Sequence, residues 1–197
     1  MFFALLAVVA MVACEDNLEG NKGVDTKYDF AFDASGVCYS QSAKEVSQSE
    51  FEEKVVGYCW SCGDWYEIYS DGSVSSEDYG ASKTGLSTTR IHYFKDNNEV
   101  KNYSTSTAYP PGMDSGYGIY KYTFDSSKIY FGDDRNARYQ ILEVSEEEMA
   151  VIMQYKYYQG YDSQIKTKYI LTTFVKLTEE QHKKVEEVHW RNWAEVE

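Results

Sequence analysis

Two cysteines, Cys59 and Cys62, have the Cys-x-x-Cys spacing of redox motifs and of half a zinc site. A redox pair needs a helix amino terminus after its first cysteine, because the helix dipole and free amides lower the thiol pKa. The residues that follow, "GDWYEIYSDG", alternate like a strand instead. Positions three apart in a strand face opposite sides, so we expect the two sulfur atoms to lie apart. Redox catalysis is therefore the least favoured function.

A closed zinc site would need four close ligands, and the remaining soft donors stand singly in the sequence. They are Cys38, His92, His182 and His189. None belongs to a second Cys-x-x-Cys or to a His-x-His pair, so no metal is predicted. For His92, in the middle of a predicted strand, a packed imidazole is the usual role. Gly-x-Ser-x-Gly, His-Glu-x-x-His and glycine-rich phosphate motifs do not occur, so the sequence predicts neither an enzyme nor a cofactor.

The chain begins with a short apolar run, "MFFALLAVVAMVAC", followed by acidic residues. The run is shorter than the roughly 20 residues of a membrane-spanning helix and has the length of a signal-peptide core. Its end, Met11 to Cys14, resembles the bacterial lipobox. The resemblance implies a signal peptide at 1–13, a lipid on Cys14 and an outer-membrane lipoprotein on the periplasmic or cell-surface face. The alternative is an ordinary secretory signal with a coincidental cysteine.

Residues 14–27 are polar and contain glycine, which is typical of a flexible tether. Residues 28–197 have the length of one domain with a substantial core. The 19 basic and 32 acidic residues give a formal net charge of −13, which repels polyanions and excludes nucleic acid as a partner. Because export permits oxidation, we predict a disulfide between Cys38 and either Cys59 or Cys62, with no disulfide as the alternative.

The middle of the chain has the pattern of half-buried strands. The 19 tyrosines of the chain often alternate with polar residues, which is typical of strands with one face exposed to solvent. Short turn signals such as "SDGS" and "KDNNE" favour antiparallel neighbours in a meander, and a meander of this length is expected to close because closure removes unpaired edges. The predicted strands lie at about 58–69, 73–79, 88–94, 99–107, 116–124, 128–131, 137–144, 150–158 and 164–176.

Helices are predicted on both sides of the strands. Before them, "SQSEFEEKVVG" reads as one short helix that Ser47 caps and Gly57 ends. After them, Thr178 and Gln181 have capping-box spacing, and helical periodicity continues to the end of the chain. The apolar face predicted to cover the barrel contains Leu177, Val185, Val188, Trp193 and Val196, with Trp190 outside it.

Two segments carry a family resemblance: "FEEKVVGYCW", Phe51 to Trp60, which opens the first barrel strand, and "YILTTFVKL", Tyr169 to Leu177, which closes the barrel. With a leader, a short helix, a series of antiparallel strands and a terminal helix in this order, the chain resembles the bacterial lipocalin-like proteins of the calycin class. The resemblance implies an all-β fold with a closed antiparallel up-and-down barrel of about eight strands, a short N-terminal helix and a C-terminal helix. It also implies that Trp60 plugs the closed end, with Lys176 across it in place of the usual arginine.

A barrel of this size can hold one small ligand or be packed solid. The favoured hypothesis is a lipid-anchored, non-enzymatic binding protein that holds a small molecule, which could be apolar, in the barrel. The alternative is a surface protein that recognises a glycan or an envelope partner through tyrosine-rich loops, although such tyrosines more often pack strands. The candidate ligand-binding residues are Tyr109, Tyr117, Tyr155, Tyr157, Tyr158 and Tyr161.

Overall fold

The computed structural model describes residues 26–76, 88–106, 116–134, 136–159, 164–192 and 194. Within these ranges, neither helix is long and apolar enough to cross a bilayer. The helices are α1 (Gln48–Lys54) and α2 (Glu179–Glu187). The strands are β1 (Phe30–Phe32), β2 (Cys38–Ser40), β3 (Cys59–Cys62), β4 (Tyr66–Ile68), β5 (Thr88–Phe94), β6 (Glu99–Ser106), β7 (Gly116–Asp125), β8 (Lys128–Phe131), β9 (Tyr139–Val144), β10 (Glu148–Gln159), β11 (Gln164–Lys176) and β12 (Arg191–Asn192).

The described strands β3 and β5 to β11 form a closed antiparallel barrel. Each pairs with the next of these strands along the chain, and β11 completes the ring because it pairs with both β10 and β3. The protein is mostly β structure, and the predicted closed barrel of about eight strands is confirmed. The order is up-and-down because consecutive barrel strands pair antiparallel around the ring.

The first predicted strand, 58–69, is broken into β3 and β4. Both pair with β11, but the chain leaves the ladder between them. A close approach occurs at the break: the Gly63 N–H donates to the Thr173 carbonyl oxygen at 2.8 Å, and a Cβ on Gly63 would lie 2.8 Å from the same oxygen. Of the predicted strand 73–79, Val74 forms only an isolated bridge with Ile68, and 77–79 lie outside the described residues.

One end of the barrel interior, the lower end, is packed with apolar side chains under α1. The Trp60 side chain is fully buried, and its indole N–H donates to the Val55 carbonyl just after α1. Phe51 of α1 stacks on Phe124 with ring centroids 4.2 Å apart. The buried cluster consists of Val46, Phe51, Val55, Trp60, Phe94, Val100, Tyr122, Ile129, Tyr139, Ile141, Met149, Val151, Met153, Ile170 and Phe174.

The C-terminal helix is shorter than predicted. Both hydrogen bonds of the capping box between Thr178 and Gln181 form, but α2 ends at Glu187 rather than at the chain terminus. The following β12 pairs in parallel with the start of β7. Because the chain turns after α2, Trp190 packs on the outer wall with Tyr103, contrary to its predicted place off the apolar face. Predicted face residues Trp193 and Val196 lie outside the described residues.

The β1–β2 hairpin covers another part of the outer wall. Its buried residues pack on outward side chains of β9, β10 and β11, with Phe32 and Tyr169 rings in an edge contact at 5.6 Å. The tight turn after β4 meets this hairpin at Gly72, where φ is +85° and a Cβ would overlap the Phe30 carbonyl oxygen.

We predict that Gly72→Ala destabilises the protein more than Gly36→Ala does. Both glycines have positive φ, at +85° and +75°, so alanine costs each about 1–2 kcal/mol. Only Gly72 has backbone atoms in the way, whereas nothing lies within 4 Å of a Cβ on Gly36. The overlap should add about 1–3 kcal/mol, measured as the difference in urea unfolding free energy. Equal losses would contradict the close contact between this turn and β1.

Candidate functional site

The upper half of the barrel interior, opposite α1, is lined by polar side chains. Arg90 and His92 alternate with Ile91 on β5 and share the inner face with buried Phe94. Asn102 on β6 is directly opposite His92 in the ladder. We call Arg90, His92 and Asn102 the inner polar cluster. The strand alternation thus places three polar residues in one patch of the inner wall.

The neighbours of His92 keep its imidazole neutral and fix which ring nitrogen carries the hydrogen. Burial, and then the positive charges of Arg90 and Arg138, lower its pKa to about 3. Its Nε2 lies 2.5 Å from the Tyr139 hydroxyl, whose pKa burial raises to about 12. Among the described residues, His92 Nε2 is the one hydrogen-bond partner of the Tyr139 hydroxyl, so the tyrosine hydrogen is satisfied when it is donated to Nε2. The single hydrogen of the neutral ring therefore lies on Nδ1.

Three polar atoms of the inner polar cluster have no hydrogen-bond partner among the residues that the structure describes. They are Arg90 Nε, His92 Nδ1 and Asn102 Oδ1. The first two are donors and the third is an acceptor. Because His92 is only 2% exposed, its N–H cannot be satisfied by bulk water. Native proteins leave few buried polar groups unpaired, so such a concentration indicates a missing partner.

Arg90 lies between aromatic rings, and no acidic side chain of the described residues is paired with it. Its guanidinium carbon is 4.4 Å from the Trp65 ring centroid and 5.9 Å from that of Tyr155. No ion pair to Arg90 is found in the described part of the chain. Glu67, whose neighbours Tyr66 and Ile68 pack outward, is paired with Lys168 at 2.6 Å instead. Within the described part of the chain, the positive charge of Arg90 is therefore not balanced by a carboxylate.

Beside this cluster, the start of β7 is paired with β12 rather than with β8. Within the described residues, β8 pairs with β7 only over Tyr122–Asp125, so no β8 residue flanks the start of β7. Tyr120 lies over Gly118 and stacks on Phe131 at 5.9 Å, yet remains 42% exposed. Tyr120, which shares the face of buried Val100 in the ladder, is thus an inward position that solvent reaches.

The three cysteines of the domain lie in different environments. Cys59 packs on the outer wall with Tyr103, whereas the Cys62 sulfur accepts from the Trp65 indole N–H at 3.1 Å and contacts the inner core. The two thus face opposite sides, as the strand alternation predicts. Burial raises the pKa of both Cys59 and Cys38 to about 12.

The predicted bridge from Cys38 is not formed in the structure. Cys38 and Cys59 are free thiols, because Cys38 is buried beneath the β1–β2 hairpin and Cys59 in the separate cluster near α2. Within the described ranges, no group of three or more His, Cys, Asp or Glu residues could hold a metal ion.

The tyrosines predicted to bind ligand are not gathered in one place. Tyr155 lies in the upper interior beside Arg90, but Tyr117 packs on the outer wall with Tyr103, where the Lys101 ammonium is 4.4 Å from its ring centroid. The remaining predicted positions lie outside the described side chains. They are Cys14, Tyr109, Tyr157, Tyr158 and Tyr161.

The predicted pair at the closed end is adjacent in the sheet. Lys176 is opposite Trp60 in the ladder, and its ammonium is 5.9 Å from the Trp60 ring centroid and 3.3 Å from that of Tyr58. Sequence reasoning missed Arg90 and Asn102. In "TTRIHYF", Arg90 and His92 share the parity of Phe94, and this placement of polar residues on an apolar face could have identified the cluster.

Comparison of the chain with known family models, with curated proteins and with solved structures finds no match in any of the three. The lipocalin-like relationship and the lipoprotein anchor therefore stay predictions. The function is inferred from the geometry of the upper barrel interior.

Proposed function

We propose that this is a non-enzymatic binding protein that holds a small organic anion, such as a carboxylate, in the upper barrel interior. The observation that carries this proposal is the inner polar cluster with its three unpaired buried atoms. Leaving such an atom unsatisfied costs about 1–3 kcal/mol. A ligand that supplies the missing partners recovers this cost on binding, which favours a binding site over a packed, ligandless interior.

The charges and donors of the cluster specify an anionic group. Arg90 Nε–H and His92 Nδ1–H can both donate to carboxylate oxygens, and the guanidinium makes its hydrogen bond charge-assisted. Asn102 Oδ1 can accept from a hydroxyl or amine on the same ligand. Trp65 and Tyr155 supply aromatic surface for its apolar part. Because the lower end is filled by side chains, the ligand must be small.

The anchoring and the fold relationship complete the proposal. A lipid on Cys14 and a tether over residues 14–27 would hold a lipocalin-like barrel at the outer membrane, on its periplasmic or cell-surface face. The alternative of glycan or envelope-partner recognition through tyrosine-rich loops depends largely on side chains outside the described residues, so it stays a prediction.

Binding of benzoate and hexanoate, each compared with its neutral amide, tests the proposal. We expect the folded domain to bind at least one acid in ligand-observed NMR titrations, and Arg90→Met to weaken binding about 10- to 100-fold through loss of a charge-assisted hydrogen bond. Lys183→Met, which removes an exposed cation of α2, is the matched control and should bind as the wild type does. Equal affinity for acids and amides, or unchanged binding by Arg90→Met, would refute the proposal.

A further inference from the structure

A cavity lies outside the barrel wall, beneath the β1–β2 hairpin. It has a volume of about 270 Å³ and lies between the hairpin and the outward faces of β8 to β11. We call it the hairpin recess. Gln154 and Tyr169 contribute to its floor, and Tyr130 and Lys128 come from β8. Gln154 faces away from the interior that Tyr155 faces, because successive residues of a strand alternate. The recess is therefore separate from the inner polar cluster.

The floor of the hairpin recess contains an unpaired acceptor. Gln154 is 4% exposed, and its Oε1 has no hydrogen-bond partner among the described residues. Its Nε2 is 3.5 Å from the Tyr169 hydroxyl oxygen. A buried amide oxygen in this state costs free energy unless something in the cavity donates to it. The recess is thus built to receive a hydrogen-bond donor.

A hydrogen-bond donor, the Tyr169 hydroxyl, lies beside the unpaired Gln154 oxygen. The Tyr169 hydroxyl oxygen accepts from the Gln154 amide at 3.5 Å, and among the described residues its own hydrogen remains to be donated. Burial raises the pKa of Tyr169, so the hydroxyl keeps that hydrogen at neutral pH. A ligand hydroxyl that donates to Gln154 Oε1 and accepts from the Tyr169 hydroxyl would satisfy the hydrogen-bonding groups of both side chains.

The charge and size of the recess narrow the ligand class. Asp33 and Lys128, both exposed, bring one negative and one positive charge to its lining, so neither ionic class of ligand is favoured. The volume is just below the range of about 300–1,000 Å³ typical of drug-sized ligands. Tyr39 and Tyr130 add aromatic side chains to the amide and phenol groups. This combination suits a compact, uncharged molecule with many hydroxyls and an apolar face.

We propose that the hairpin recess binds one neutral sugar residue, either free or at the end of a glycan. Gln154 accepts from a sugar hydroxyl, and Tyr169 donates to a hydroxyl oxygen. The surrounding tyrosines contact the sugar ring. This site is independent of the anion site in the barrel and does not involve the tyrosine-rich loops at the other predicted positions.

Saturation-transfer NMR of the folded domain with the methyl glycosides of glucose, galactose, mannose and N-acetylglucosamine tests this proposal. We expect at least one to bind, and Gln154→Leu to weaken its binding tenfold or more through loss of the acceptor. Gln48→Leu, on exposed α1 surface, is the matched control and should bind as the wild type does. A disaccharide that binds as tightly as the monosaccharide identifies a glycan end, and one that is excluded identifies a free sugar.

The variants should remain folded, because Gln154→Leu removes an unpaired buried oxygen; Gln154→Met is a second variant of the same kind. No binding of any of the four glycosides, or equal binding by wild type and both Gln154 variants, would overturn the proposal. The sugar site and the anion site in the barrel can be tested separately. Sugar binding should survive Arg90→Met, and carboxylate binding should survive Gln154→Leu.

Discussion

Trp60→Ala is expected to lower the free energy of unfolding by about 3–5 kcal/mol, the usual range for deletion of a buried tryptophan side chain. Trp60 is fully buried, and its N–H donates to the Val55 carbonyl at 3.1 Å, which ties the first barrel strand to the residues after α1. Alanine would leave a cavity and an unpaired carbonyl together. Since domains are stable by about 5–15 kcal/mol, this is a large share of the total. Urea unfolding followed by circular dichroism measures it.

Two further variants show how much of the loss comes from the buried Trp60 side chain itself. Trp60→Phe keeps an aromatic ring but removes the hydrogen bond to Val55, so we expect a smaller loss than with alanine. Tyr58→Ala, two residues earlier and 39% exposed, should change stability least. If Trp60→Ala were no less stable than Tyr58→Ala, the packed lower end under α1 would be wrong.

Acid is expected to destabilise the protein through His92. The folded-state pKa is about 3, whereas the ordinary value is 6.5. Because the unfolded chain binds the proton first, the stabilisation from neutral His92 is complete above pH 6.5 and is lost as pH falls toward 3. The slope is about 1.4 kcal/mol per pH unit in that window. Between pH 7 and pH 4.5, the wild type should therefore lose about 2–3 kcal/mol through this residue.

The comparison with His92→Phe isolates this contribution. Arginine stays charged in this range and Tyr139 keeps its proton, so the groups facing the imidazole do not change state. Carboxylates elsewhere titrate in both proteins and cancel in the difference. His189→Phe, at an exposed position, is the matched control for loss of one imidazole. Identical pH dependence of wild type and His92→Phe would show that His92 is not buried as a neutral ring.

Local features of the fold were predictable because local chemistry produces them. The bounds of β5, β8 and β11 agree with the predicted strands, since alternation and turn residues lie within each segment. Ser47 and Thr178 cap their helices as predicted, because a cap depends on residues only three positions away. Closure of the meander followed from strand number and turn length.

Features that depend on distant partners were missed. The break between β3 and β4 reflects the contact of Gly63 with Thr173, more than a hundred positions away. Residues 28–40 were not predicted to form a hairpin, because β1 and β2 have only three residues each and are held by the outer wall. The terminal helix ends at Glu187, and the chain after it pairs with β7, which is more than sixty positions away.

The sequence by itself determined which residues share a face of a strand, because side chains alternate with a period of two. That rule separated Cys59 from Cys62; it also puts Arg90 on the face of His92, although the sequence analysis did not single out Arg90. Only the tertiary structure decided which face is enclosed and which distant groups meet there: Tyr139 on the His92 ring and the hairpin over Gln154. The physical reason is that hydrogen bonding and burial depend on neighbours brought together by barrel closure, which local periodicity does not encode.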